Sequence, residues 1–104
     1  MISAAVAHLP SIKPIDEELI VRLARATGAL VTIENHRIYG GLGGAVAEVT
    51  AREFPVHLEI LGLGDTVFEA APLQDLLRHY ELTPRAMAAR ARALVQRKRR
   101  ASAA

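Results

Sequence analysis

Cysteine is absent from the 104-residue chain, which removes disulfides, thiolate nucleophiles and cysteine-bound metal from consideration. Aromatic residues make up only 4% and there is no tryptophan, so the core must be aliphatic, built from Leu, Val, Ile and Ala. No apolar stretch approaches the roughly 18 residues of a membrane span, and no basic region followed by a long apolar run opens the chain. These absences lead to the expectation of a cytoplasmic protein with no membrane partner. Acid is missing from residues 85–104, which hold seven Lys/Arg, a net of +7. Residues 1–84 hold six Lys/Arg against eleven Asp/Glu, a net of −5, so the formal +2 hides an acidic body and a basic tail. An acidic body argues against nucleic acid as a partner. The tail itself (QRKRR, residues 96–100) lacks the aromatics that stack on bases. A solubilising helix end, or a contact with an acidic partner surface, accounts for it.

What is present is 51% hydrophobic, enough for the core of one small domain. The organising stretch is residues 30–53 (LVTIENHRIYGGLGGAVAEVTARE), which reads as strand, glycine turn and helix. Ahead of it, residues 2–9 (ISAAVAHL) read as a short buried strand, and Pro10 and Pro14 bracket a loop. Asp16 is an N-cap with Glu17 and Glu18 in the first turn, and Ile15 and Ile20 stand at staple positions. Leu19, Ile20, Leu23 and Ala24 give that helix its apolar face, and Gly28 closes it. Residues 29–33 (ALVTI) form a strand covered on both faces, ended by Glu34, Asn35 and His36. Leu42, Ala45, Val46 and Val49 set a helix that starts inside the glycines and stops before Pro55. Residues 56–61 (VHLEIL) alternate as a strand near a sheet edge, with His57 and Glu59 on a solvated side. Pro72 starts a helix carrying Leu73, Leu76, Leu77 and Tyr80, and Thr83 with Pro84 starts the last one. That last helix has Met87, Ala91, Leu94 and Val95 inside, and residues 97–104 are expected as a frayed basic tail. The order β-α-β-α-β-α-α predicts a three-layer α/β/α domain over residues 1–96, with a small, mostly parallel sheet of about three strands and right-handed crossovers.

Chemistry is harder to find. The run Gly40, Gly41, Gly43, Gly44 precedes a helix, as phosphate cradles do. Yet Val46 or Leu42 falls where a dinucleotide fingerprint needs glycine or another small residue, and no lysine followed by Ser/Thr makes a P-loop. Close approach of the helix start to the sheet or to a neighbouring domain is the simpler use of those glycines. His8, His36, His57 and His79 are scattered without metal-ligand spacing. Glu34 and His36 lie at a strand's carboxyl end, where α/β sites form, but a polar strand end needs no catalytic explanation. No serine or threonine sits in a nucleophile elbow. Catalytic, cofactor-binding and metal-binding residues are therefore expected to be none.

Three segments carry a resemblance: SIKPID (residues 11–16), VTIENHRIYGGLGGAVAEV (residues 31–49) and LGLGDTVFEAAPLQDLLRHYELTP (residues 61–84). Over residues 3–91 the chain resembles the C-terminal domain of transketolase-type enzymes, a group including deoxyxylulose-phosphate synthase and the pyruvate dehydrogenase β subunit. The separately encoded C-terminal subunits of split transketolases are the most similar. The resemblance implies a thiamine-diphosphate enzyme that moves two-carbon ketol units between sugar phosphates. In it the diphosphate and Mg²⁺ belong to other domains, and this domain supplies dimer and interdomain contacts. It also implies that the first β-α unit of the domain is missing, as in a truncated or split gene product. The expected partners are the thiamine-diphosphate-binding domains or subunits of the same enzyme, in a homodimer or hetero-oligomer. Glu34, Asn35, His36, Tyr39, Gly40, Gly41 and Gly43 are the candidate contact residues. The alternative is a free-standing regulatory module that binds an anion or nucleotide at the helix start of residues 40–44.

Overall fold

A computed structural model describes residues 2–103. The elements run α1 (Glu17–Thr27), β1 (Ala29–Arg37), α2 (Leu42–Glu53), β2 (His57–Leu63), α3 (Leu73–His79) and α4 (Pro84–Ala103). β1 and β2 pair in parallel, with Ala29 opposite His57 and Ile33 opposite Leu61. The α/β architecture is the one the alternating pattern predicts. Its sheet has two strands among the described residues rather than about three. Residues 2–8 join no ladder and lie exposed, with Val6 97% accessible. Their small apolar pattern suits a strand, but a strand exists only where a neighbour accepts its hydrogen bonds.

Local chemistry explains the helices. The Asp16 carboxylate accepts a hydrogen bond from Leu19 N at 3.1 Å, and Gly28, at φ 71°, sends its N–H back to Ala24 O. At the far end of the fold, Thr83 Oγ1 accepts from Ala86 N at the start of α4. The helices then cover both sides of the sheet. Leu30 and Leu58 pack against the cluster of Ile20, Val46 and Val49, which is the α1–α2 side. Glu59 and Leu61 face the other way, toward α4 and its buried Leu94.

Glu59 corrects one expectation. Instead of lining a solvated face, its side chain is 16% exposed and is gripped by Arg90 and Arg97 of α4. Arginine can hold a carboxylate while its stem covers apolar surface, so an alternating strand does not reveal which polar residue is covered. The basic tail differs as well: the chain stays helical to Ala103, and Lys98 Nζ donates to Thr27 O at 2.6 Å, at the end of α1. A cation there meets the negative end of the α1 dipole. On α3 the expected apolar stripe is incomplete, since Leu73 is 66% exposed and no residue of the helix is buried.

α3 ends in a way that gives a stability test. Leu82 N bonds Leu77 O and Glu81 N bonds Arg78 O, while Glu81 takes φ 58°, a left-handed conformation that costs a residue with a Cβ. Glu81→Gly is expected to raise stability by about 0.5–1 kcal/mol, read as a higher midpoint in urea at unchanged slope. The exposed Glu81–Arg90 pair it removes, at 3.8 Å, offsets little of that gain.

Candidate functional site

The carboxyl end of β1 and the first turn of α2 meet at one corner. α2 begins without a capping side chain, because Gly41 holds the N-cap position, and without an acid in its first turn. Its N–H groups are satisfied from across the turn. Glu34 Oε1 accepts from Leu42 N and Oε2 from Gly43 N, both at 2.8 Å. The carboxylate, 10% exposed, thus occupies the positive end of the helix where an anion would sit.

Sterics fix the same corner. A Cβ on Gly41 would overlap Glu34 Oε1 and lie 2.8 Å from His36 Nδ1. A Cβ on Gly43 would overlap Ile60 Cγ2 and lie 2.9 Å from Thr32 Oγ1. These two positions therefore need glycine for close approach, one beneath the carboxylate and one against the sheet. Thr32 is buried there, and its hydroxyl has no partner among the described residues.

The structure brings together four of the seven candidate residues: Glu34, His36, Gly41 and Gly43. His36 Nδ1 lies 3.7 Å from Glu34 Oε1 and 2.7 Å from Arg37 O, the second a hydrogen bond when that nitrogen carries the proton. The other three, Asn35, Tyr39 and Gly40, are exposed beside the corner, and Tyr39 is 68% accessible. β1 itself runs to Arg37, with a register break after Ile33, where the sequence suggested an end at residue 33. Ile38 N continues the pairing by bonding Leu63 O, so polar side chains project from a backbone that is still held.

Sequence reasoning chose Glu34 but missed its part as an internal cap. The signal was available: a helix opening on glycine with no acid in its first turn must find its acceptor elsewhere. Nothing at this corner suits a diphosphate with Mg²⁺. The two N–H donors are taken, and no cluster of three or more His, Asp or Glu with metal-ligand geometry occurs among the described residues. An open groove of about 790 Å³ lies over α1, lined by Glu17, Glu18, Glu53, Arg22 and Arg25 around Val21, and none of the corner's residues lines it.

The corner is thus an exposed polar loop braced by a glycine-floored crossover on a small parallel α/β unit. Residues 1–87 match the family "Transketolase, C-terminal domain", and the chain belongs to that family. It is 46% identical over 94 residues to 1-deoxy-D-xylulose-5-phosphate synthase of Neisseria gonorrhoeae, covering 88% of this chain and 14% of that protein. Against a 6-deoxy-6-sulfo-D-fructose transketolase subunit of a Clostridium species, identity is 37%, covering 93% of this chain and 30% of the relative. A solved split-gene transketolase, described as an inactive β4 tetramer, superimposes with a TM-score of 0.74 at 47% identity. That match covers 86% of this chain and 28% of the other. The chain thus spans less than a third of the length of these relatives. No helix among the described residues is long and apolar enough to cross a membrane.

Proposed function

We propose that this chain is a non-catalytic contact domain of a transketolase-type enzyme that transfers two-carbon ketol units between sugar phosphates. In this reading thiamine diphosphate and Mg²⁺ are held by partner domains or subunits, and no step of the ketol transfer is assigned to side chains of this chain. The observation that carries the reading is the Glu34 carboxylate lying across Leu42 N and Gly43 N. It turns the glycine run from a ligand cradle into a brace, and the brace holds Asn35, His36 and Tyr39 outward. The transketolase names of similar chains support the parent activity, and the description of the split-gene neighbour as inactive supports a need for other domains. The same carboxylate speaks against the anion-binding module, which would need those N–H groups free.

The test is a titration of this chain with the thiamine-diphosphate-binding portion of its enzyme, followed by calorimetry. Binding is expected, and His36→Ala should weaken it about tenfold, as loss of an interface hot spot does. Because the His36 side chain is 58% exposed, the variant's unfolding curve should be unchanged. Absence of binding refutes the reading, and equal affinity of the variant removes this loop from the contact.

A further inference from the structure

We infer that the outward face of α4 is a docking surface for an acidic helix of another polypeptide, held by Arg85, Arg92 and Arg99 with Arg100 beside them. α4 carries seven Lys/Arg and no acid. Three of the seven are engaged within the chain: Arg90 and Arg97 hold Glu59, and Lys98 donates to Thr27 O. The other four are exposed, and none makes an ion pair or a side-chain hydrogen bond among the described residues. Solubility is served by charges of both signs interspersed, whereas a ridge of one sign attracts a partner of the other.

Helix geometry selects the partner. At about 100° per residue, Arg85, Arg92 and Arg99 fall within about 40° of one another, opposite the buried Leu94. They recur every seven residues, a rise of about 10.5 Å. An α-helix lying alongside, with Glu or Asp at the same heptad spacing, meets all three at once. Between the arginines this face holds only alanines and Gln96, so no bulky side chain keeps a partner helix away. Duplex nucleic acid presents charge far more densely, about one per 1.7 Å. The acidic body behind α4, net −5 over residues 1–84, also repels so large a polyanion. A membrane surface takes apolar side chains beside the cations, and alanines supply little to bury. This inference is independent of the parent reaction.

The chain has no tryptophan, so a synthetic helical peptide with one tryptophan and a glutamate in every heptad reports binding by its own fluorescence. Binding is expected, and it should weaken as salt rises from about 0.05 to 0.3 M. Arg92→Ala/Arg99→Ala should weaken it on the order of tenfold, the sum of two solvent-exposed ion pairs. Lys13→Ala/Arg22→Ala removes the same two charges from exposed sites elsewhere and should change affinity less than about twofold. Both variants should keep the native circular dichroism, because all four side chains are exposed. A shuffled peptide of equal composition, a single-stranded oligonucleotide and phosphatidylserine vesicles are titrated in parallel, and each should bind more weakly than the heptad peptide. No binding of that peptide, equal losses in the two variants, or equal or tighter binding of any of the other three probes would each overturn the inference.

Discussion

Replacing Glu34 with alanine is expected to lower the unfolding free energy by about 3 kcal/mol, a large share of what a domain of this size possesses. Two N–H groups at the start of α2 lose their acceptors together, Leu42 N and Gly43 N, each bonded at 2.8 Å. Both bonds go to a charged group, which makes them stronger than neutral ones, and the carboxylate also meets the positive end of the helix dipole. Water can reach the corner only partly, since the Glu34 side chain is 10% exposed. Glu34→Gln keeps one acceptor oxygen and loses the charge, so about half of that loss, roughly 1–2 kcal/mol, should remain. Urea unfolding of the three proteins at one pH gives the order native, then Gln, then Ala. Equal stability of all three would show that the carboxylate does not bind the helix.

Two neighbouring glycines are expected to respond with opposite sign. Gly43→Ala should destabilise by about 2 kcal/mol or more, because overpacking exceeds the gain in helix propensity. The added methyl would overlap Ile60 Cγ2 and crowd Thr32 Oγ1, both on the sheet beneath, so α2 must lift from the strands. At Gly44 nothing lies within 4 Å of the added atom. Gly44→Ala should therefore be neutral or stabilising by up to about 1 kcal/mol, the usual advantage of alanine inside a helix. Thermal unfolding of the pair separates close packing from mere chain flexibility as the reason for the glycine run. Equal effects at both positions would favour flexibility.

Much of this architecture was legible because short-range chemistry dictates it. Asp16 and Gly28 bound α1 where cap preferences place them, and Pro55 follows α2 after Glu53. The apolar spacing of Val46 and Val49 picked out the face that packs on the sheet. What failed depends on partners distant in sequence. Residues 2–9 have the composition of a strand, but composition cannot supply the neighbouring ladder, and residues 2–8 lie outside the sheet. Glu59 looks solvated until Arg90 and Arg97, more than thirty residues on, fold over it. The basic end of α4 looks frayed until Lys98 is seen against the end of α1. At the candidate site, richness in polar residues drew notice to Glu34 and His36. That Glu34 reaches across eight residues to cap α2 follows only once β1 and α2 are set side by side.

The same corner connects fold to function. A carboxylate that fills a helix N-terminus leaves no open cradle, and the glycines beneath it leave no room for side chains. Asn35, His36 and Tyr39 stand exposed beside it. In the function proposed above, the Glu34 corner is the brace of a docking loop.

Ketol transfer from a sugar-phosphate donor to an acceptor, with thiamine diphosphate and Mg²⁺ supplied, tests this account most directly when measured for three samples. These are the chain alone, the cofactor-binding portion of its enzyme alone, and the two mixed. The account predicts no turnover by the chain alone and a gain on mixing that falls when His36 is replaced by alanine. Turnover by the chain alone, or a mixture no more active than the cofactor-binding portion by itself, would contradict it.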